Sequence, residues 1–346
     1  MNNITKNNII NSNNFLNYSN VFYGAYIQNE DLYKFNKEDY RVLLDENGSQ
    51  LIKMKSFKLK ENDVIFCHSF LLEPLFNHLK GVKNLKNIKL ITHQSDMTIG
   101  EAEFLKKPKC ISEWYAINVN YKNKSLIPIP IGIGNDSNQK TLTSKHFESL
   151  SIFEEKVEKL YLNFNMNTNY FHRYKACKSL NNKNFIFHDK PKLNLDKFVQ
   201  NLNEYKFSLA PWGNGYDTHR LWEALYAGSI PVTLFHRSLE NFSDFPILFL
   251  NDYKSFDIDN VNIKDFKYFY SDKLNINWWF DLISKNKIES SDIEIEFVES
   301  EDLHAHNIGL FFKQYHSFNR TKDRNTLKRK FHRRTFGKKI NNLFGV

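Results

Sequence analysis

Short apolar runs alternate with helix-period segments along most of this chain. Val64-Ile65-Phe66-Cys67-His68 reads as a buried strand and Phe70 to Leu79 as a helix. Ile88 to Thr92 predicts a second strand, and Cys110 to Ile117 with Leu126 to Ile131 predicts further strand material. Gly132-Ile133-Gly134-Asn135-Asp136 breaks the pattern, and the polar, charged stretch Lys140 to Lys159 reads as a linker or excursion between domains. A second set opens with the strand Leu160 to Phe164. It continues through helix Phe171 to Leu180, strand Phe185 to Phe187, helix Leu195 to Tyr205 and strand Phe207 to Ala210. Helix Thr218 to Ala227 follows, then strands Ile230 to Leu234 and Ile247 to Leu250. Such alternation implies βαβ units and parallel sheets. Two sets in 346 residues predict an α/β protein with two Rossmann-like domains, at residues 21–150 and 151–319. Ligands are then expected at the carboxyl ends of strands. Residues 1–20, polar and Asn-rich, are expected to be disordered.

Composition sharpens this in one place, the distribution of charge. Of the 48 Lys+Arg and 39 Asp+Glu, ten basic residues and one acid fall between Arg320 and the C-terminus. Residues 1–319 are therefore formally neutral, and the tail 320–346 carries all of the +9. A neutral body argues against a nucleic-acid partner, which would call for a basic face within the folded part. The 41% hydrophobic and 25% charged content is that of a soluble globular protein. Cys67, Cys110 and Cys177 are odd in number and far apart, so neither a disulfide framework nor a zinc spacing follows. Met1 to Asn20 has no apolar stretch of the signal-peptide kind. The longest apolar run, Phe245 to Leu250, falls far short of the roughly 20 residues that span a bilayer. The expectation is a cytoplasmic protein, peripheral at a membrane at most.

The segment richest in chemistry runs from Phe207 to Val232: strand, glycine-rich turn, helix, glycine stop, strand. Gly213 and Gly215 permit close backbone approach beside Asn214. Asp217 or Thr218 supplies the helix N-cap and Gly228 the C-terminal stop. Free amides and the positive dipole end at the start of a helix favour an anion. Arg220, in the first turn, adds a bidentate cation suited to diphosphate. Glu223, three residues on, shares its face and can accept from ribose hydroxyls. An ordinary surface ion pair fits the same spacing. No P-loop is present, and no Gly-x-Gly-x-x-Gly follows the first strand of either domain.

The stretch Leu209 to Val232 resembles the C-terminal signature of exostosin-like glycosyltransferases of the bacterial and viral type. The likeness rests on Pro211, Gly213, Arg220, Glu223, Ala224, Leu225, Gly228, Ile230, Pro231 and Val232. Trp212 stands where that family often has Arg, and Ser229 where it often has Cys. The pieces Thr92-His93-Gln94-Ser95-Asp96, Trp114 to Asn118 and Ile129 to Ile133 also resemble the group. The resemblance implies a GT-B fold, two Rossmann-like domains facing a cleft, with a nucleotide-sugar donor held mainly by the second. It also implies transfer of the sugar to a glycan or lipid-linked glycan acceptor.

Donor binding is accordingly expected at Arg220, Glu223, Gly213, Asn214, Gly215 and Asp217. Arg173, just past the first strand of the second domain, is either a second phosphate ligand or a solvated helix arginine. Inverting transfer needs a base for the acceptor hydroxyl and stabilisation of the departing diphosphate. Asp96 is the first choice of base, His93 the second and Glu101 the third; an Asp in this position also serves commonly as an N-cap. Arginines and a helix dipole can serve the diphosphate without metal, so no metal or other cofactor is expected. Asp257-Ile258-Asp259 reads as a solvated turn, and His304 and His306 lack partner ligands at metal spacing. The tail carries Leu327, Phe331, Phe336, Ile340, Leu343 and Phe344 at helical spacing among its basic residues. It reads as a solvated charge run or as an amphipathic segment for an anionic membrane surface. The rival reading is a non-catalytic binding protein on the same fold, tethered to an anionic surface by that tail.

Overall fold

The structure is a computed structural model and describes residues 6–46, 48–136, 141–147, 156–180, 183–189, 194–261, 271–291 and 293–344. Side chains are described as far as Lys330, Lys6 and Asp323 excepted. The chain is an α/β protein that divides into two compact units. One comprises Asn11–Ile131 and Ile276–Ser317; the other comprises Met1–Ile10, Gly132–Asn275 and Phe318–Val346.

Along the chain, α1 (Ser12–Tyr18) precedes β1 (Val21–Gln28), β2 (Tyr40–Glu46), β3 (Ser49–Met54), β4 (Ser56–Lys60) and β5 (Val64–His68). Then come α2 (Leu72–Leu79), β6 (Ile88–His93), α3 (Glu101–Phe104), β7 (Ile111–Ala116) and β8 (Leu126–Pro128). The seven-stranded sheet has the order β2-β3-β1-β5-β6-β7-β8. From β1 to β8 neighbours are parallel, whereas β3 runs antiparallel to both β1 and β2. The expectation of a purely parallel sheet is thus corrected by an edge hairpin. Every residue of β5 and β6 is buried, which is why β5 reads as an apolar run; β6 buries Lys89 among its apolar residues. The β2 edge is half exposed and carries a weaker pattern. Gly24 lets β1 and β3 lie close, since a Cβ there would stand 2.8 Å from the Ile52 carbonyl oxygen.

The expectation of a disordered N-terminus is corrected as well. Ile9, Ile10 and Phe15 are fully buried. Asn11 and Asn14 form a reciprocal capping box: Asn14 N–H donates to Asn11 Oδ1 at 3.1 Å, and Asn11 N–H to Asn14 Oδ1 at 2.9 Å. That box starts α1.

The second set is β9 (Val157–Leu162), α4 (Tyr170–Leu180), β10 (Ile186–His188), α5 (Leu195–Glu204), β11 (Tyr205–Leu209), α6 (His219–Tyr226), β12 (Ile230–Leu234) and β13 (Leu248–Leu250). Strand β9 begins inside the stretch expected as a linker. Of the rest of that stretch, residues 140 and 148–155 lie outside the described residues, and Leu142, Thr143 and Phe147 are buried. The five strands pair in parallel in the order β10-β9-β11-β12-β13. Leu160, Leu162, Phe207, Leu209, Ile230 and Val232 form the core with Ala176, Cys177 and Leu180 of α4. Lys156 is buried beneath the sheet and donates to the carbonyls of Leu202, Asn203 and Ala227, joining the C-terminal ends of α5 and α6. Burial pulls its ammonium down to about 8.

Three elements close the chain: α7 (Ile276–Ser284), β14 (Glu294–Val298) and α8 (Glu301–Phe344). The units do not divide at the expected 150/151 and 319/320 but at Ile10/Asn11, Ile131/Gly132, Asn275/Ile276 and Ser317/Phe318. Strand β14 runs antiparallel to β4, so residues 276–317 belong with the seven-stranded unit. The first ten residues belong with the five-stranded unit, where Ile10 N–H donates to the Tyr226 hydroxyl at 3.0 Å and Ile133 N–H to the Ile10 carbonyl at 2.9 Å. Gly132 has φ +69°, and a Cβ there would meet the Ile10 carbonyl, so only glycine fits this crossing. Residues 320–344, read as a solvated charge run or an amphipathic segment, continue α8. Leu327 is 65% exposed, and the side chains from Phe331 onward, including Phe336, Ile340, Leu343 and Phe344, lie outside those described. Among the described residues no helix is long and apolar enough to cross a membrane.

Candidate functional site

In the five-stranded sheet the chain leaves β9 toward β10 on one side and returns to β11 on the other. Right-handed crossovers then place α4 on one face and α5 and α6 on the opposite one. Between β9 and β11 the connections diverge, and a crevice opens at the carboxyl ends of these two strands. Two loops meet there, residues 163–169 after β9 and residues 210–218 after β11.

Arg173 of α4 braces the two loops. It is 8% exposed; its Nε donates to the Trp212 carbonyl at 3.1 Å and its Nη1 to the Asn165 carbonyl at 2.5 Å. Asn169, at φ +50°, donates through Nδ2 to the Gly213 carbonyl at 2.9 Å. Within the second loop Gly213 N–H donates to the Gly215 carbonyl at 3.0 Å. Of the two sequence readings for Arg173, neither describes this brace: two of its donors hold backbone carbonyls. A Cβ on Gly213 would sit 3.4 Å from Arg173 Nη2 and from Thr168 Cγ2, an ordinary contact, so space alone does not require that glycine.

A cavity of about 460 Å³ lies against these loops. Residues 167–171, Gly213 and Asn214 form one wall. The other is a single stripe of α8: Phe318, Thr321, Lys322, Asn325, Thr326 and Arg329. Steps of three and four put these side chains on one helix face. The sequence places Thr168 and Asn169 just past the first strand of this set, at its carboxyl end, without giving them a role; the stripe on α8 was missed, although a helical period was legible in the tail. Of the expected donor-binding residues, the cavity brings together Gly213 and Asn214.

The others lie in α6 and the loop before it and do not line the cavity. Thr218 is the N-cap, with extended φ/ψ and no side-chain cap bond. Asp217 is buried and its Oδ1 accepts from Trp222 Nε1 at 2.8 Å, which ties the turn to the helix. Glu223 is buried; its Oε1 accepts from Leu142 N–H at 3.3 Å, and its Oε2 lies 3.7 Å from Arg220 Nε. The Arg220 guanidinium lies over the Phe198 ring, and its Nε and Nη1 are buried with no hydrogen-bond acceptor among the described residues. An anion would satisfy such donors. Trp212 stacks on His172 with ring centroids 4.7 Å apart and donates through Nε1 to the Leu234 carbonyl.

In the seven-stranded unit, His93 is buried, with both ring nitrogens engaged. Its Nδ1 accepts from Gln94 N–H at 2.8 Å, and its Nε2 lies 3.3 Å from the Pro130 carbonyl, to which the remaining ring N–H donates. Asp96 is half-buried in the loop that follows β6 at its carboxyl end, and Glu101 opens α3 as an exposed residue. Gln94, at φ +65°, clasps the Tyr26 backbone through both ends of its amide. A second cavity in this unit, about 700 Å³, is lined by none of the expected catalytic or donor-binding residues, though His306 is on its wall. Asp257 caps a 3-10 turn, its Oδ2 accepting from Asn260 Nδ2 at 3.1 Å. Among the described residues no group of three or more His, Cys, Asp or Glu could hold a metal ion.

With this geometry in hand, the chain was compared with models of protein families and with curated proteins. Neither comparison found a match.

Proposed function

We propose that the protein is a glycosyltransferase of the GT-B kind, related to the exostosin-like enzymes, that takes a sugar from a nucleotide diphosphate donor. The observation that carries this reading is the cavity at the β9/β11 switch point, walled by the Gly213–Asn214 loop that the sequence singles out. The orphaned donors of Arg220, in the first turn of α6, add to it. In the proposed reaction a base removes the proton of an acceptor hydroxyl as its oxygen attacks the anomeric carbon. The bond from that carbon to the donor phosphate breaks, and the nucleoside diphosphate leaves with the electron pair. Arg220 and the N-terminus of α6 serve the charge on this leaving group, and Glu223 is a positioning residue that holds Arg220. Asp96 is assigned as base in preference to His93, whose nitrogens are both taken. The acceptor is a glycan or lipid-linked glycan.

The test is a panel of nucleotide sugars, read as donor hydrolysis and as calorimetric binding of the corresponding nucleoside diphosphates. Saturable binding of one nucleoside diphosphate, weakened at least tenfold in Arg220→Ala, is expected. Absence of binding to every donor and diphosphate would remove the reading.

A further inference from the structure

The basic tail has two kinds of positive residue. Lys322 and Arg329, seven apart and so two turns along one helix face, line the switch-point cavity. Arg320, Arg324, Lys328 and Lys330 do not line it; these four are exposed, as is Lys322, while Arg329 is half-buried. Arg329 is seated: its Nη1 donates to the Asn167 carbonyl at 3.3 Å, and its Nε is buried with no acceptor among the described residues. No described residue that lines the cavity is acidic; beside the two cations stand threonine hydroxyls and asparagine amides. Two cations, hydroxyl and amide donors and no carboxylate make a wall for a polyanion of small size.

We propose that Lys322 and Arg329 are ligands for the diphosphate of a molecule bound in this cavity, so that the C-terminal helix is a wall of the binding site. The identification of that molecule as a nucleotide sugar rests on the function proposed above; the diphosphate clamp does not. Bridging an anion between α8 and the 163–169 loop also ties the helix to the sheet. Ligand should therefore slow proteolysis and amide exchange over residues 318–330.

The probe is inorganic pyrophosphate, titrated calorimetrically into the full chain at low and moderate salt. The wild type is compared with Lys322→Glu/Arg329→Glu and with Arg324→Glu/Lys328→Glu, which makes the same charge change on the exposed face. Circular dichroism confirms that each variant is folded. Expected is at least tenfold weaker binding in the first variant, a change of about 1.4 kcal/mol, and less than threefold in the second. Equal binding by the wild type and the first variant, equal losses in both variants, or no pyrophosphate binding by the wild type would overturn the proposal. The two readings part cleanly. If a nucleoside diphosphate binds and the first variant binds it equally well, the clamp fails and the transferase reading stands. If pyrophosphate needs Lys322 and Arg329 but no nucleoside diphosphate binds more tightly than pyrophosphate, the clamp stands and the transferase reading fails.

Discussion

The Arg220 guanidinium carbon lies 4.0 Å from the centre of the Phe198 ring. Stacking fixes the plane of the cation and shields one face from water, a contact worth about 0.5–2 kcal/mol. Phe198→Leu should lower stability by about 1 kcal/mol in denaturant melts. It should also weaken nucleoside diphosphate binding several-fold, because the guanidinium loses its platform. Unchanged affinity alongside the lowered stability would make Arg220 a packing residue only.

Asp96 and His93 should separate in kinetics. Asp96→Asn is expected to cut kcat by at least 10²-fold, the scale of general-base catalysis, with little change in melting temperature. His93→Ala should instead cost roughly 2–4 kcal/mol of stability, since it opens a cavity beside Phe15 and strands the Gln94 N–H and the Pro130 carbonyl. A full-rate Asp96→Asn enzyme would move the base elsewhere.

In the seven-stranded unit Lys53 and Glu299 form a buried ion pair at 2.5 Å. His304 Nδ1 lies 2.9 Å from the Glu299 carboxylate, and Asn307 donates to it at 2.8 Å. Removing one partner leaves an uncompensated charge, so Lys53→Met should destabilise by about 3–5 kcal/mol. The pair Lys53→Met/Glu299→Met should recover most of that loss, and a double-mutant cycle by chemical denaturation measures the coupling.

Acid should unfold the protein in two stages. Burial pushes the His68 imidazole down to about 4, against an ordinary value of 6.5. The unfolded chain then binds the extra proton first, so this contribution is full above pH 6.5 and is lost as pH falls from 6.5 to 4. Its size is about 3 kcal/mol. Burial alone would raise Glu299, but the His78 ring 3.7 Å away and hydrogen bonds from Lys53 and Asn307 hold its carboxyl well below the usual range. That contribution is present above pH 4.5 and declines below it. Melting temperature against pH should show both slopes, with His68→Gln flattening the upper one and Glu299→Gln the lower.

Much of the five-stranded unit is legible in the sequence because its signals are local. Strands β9 to β13 are short apolar runs, Asn194 caps the start of α5, and Thr218 and Gly228 bound α6. The hairpin of β2 and β3 escaped notice for the opposite reason. Its edge strand is half exposed, and the Asn47-Gly48 dipeptide was its clearest signal. Helix α1 was obscured by composition: in a chain so rich in asparagine, the two that form a capping box look like all the rest.

The site divides along the same line. Gly213, Asn214 and Arg220 can be picked out because a strand, a glycine-rich turn and a helix start lie within one short segment. Their neighbours in space could not be picked out. Arg173 reads equally as a phosphate ligand or a solvated helix arginine, and nothing local shows that two of its donors hold the Trp212 and Asn165 carbonyls. Lys322 and Arg329 read as part of a uniform charge run, and only packing against residues 167–171 sets them apart.

The sequence by itself determined the α/β alternation, the strand-turn-helix at 207–226 and the net charge of +9 with its confinement to the tail. These depend on periodicity, caps and composition, which act over a few residues. Tertiary structure decided which segments share a unit and which of the tail's cations face a cavity. Those outcomes depend on pairing across long stretches of chain, β14 with β4 and Arg329 with Asn167, and no local pattern encodes a partner so far away.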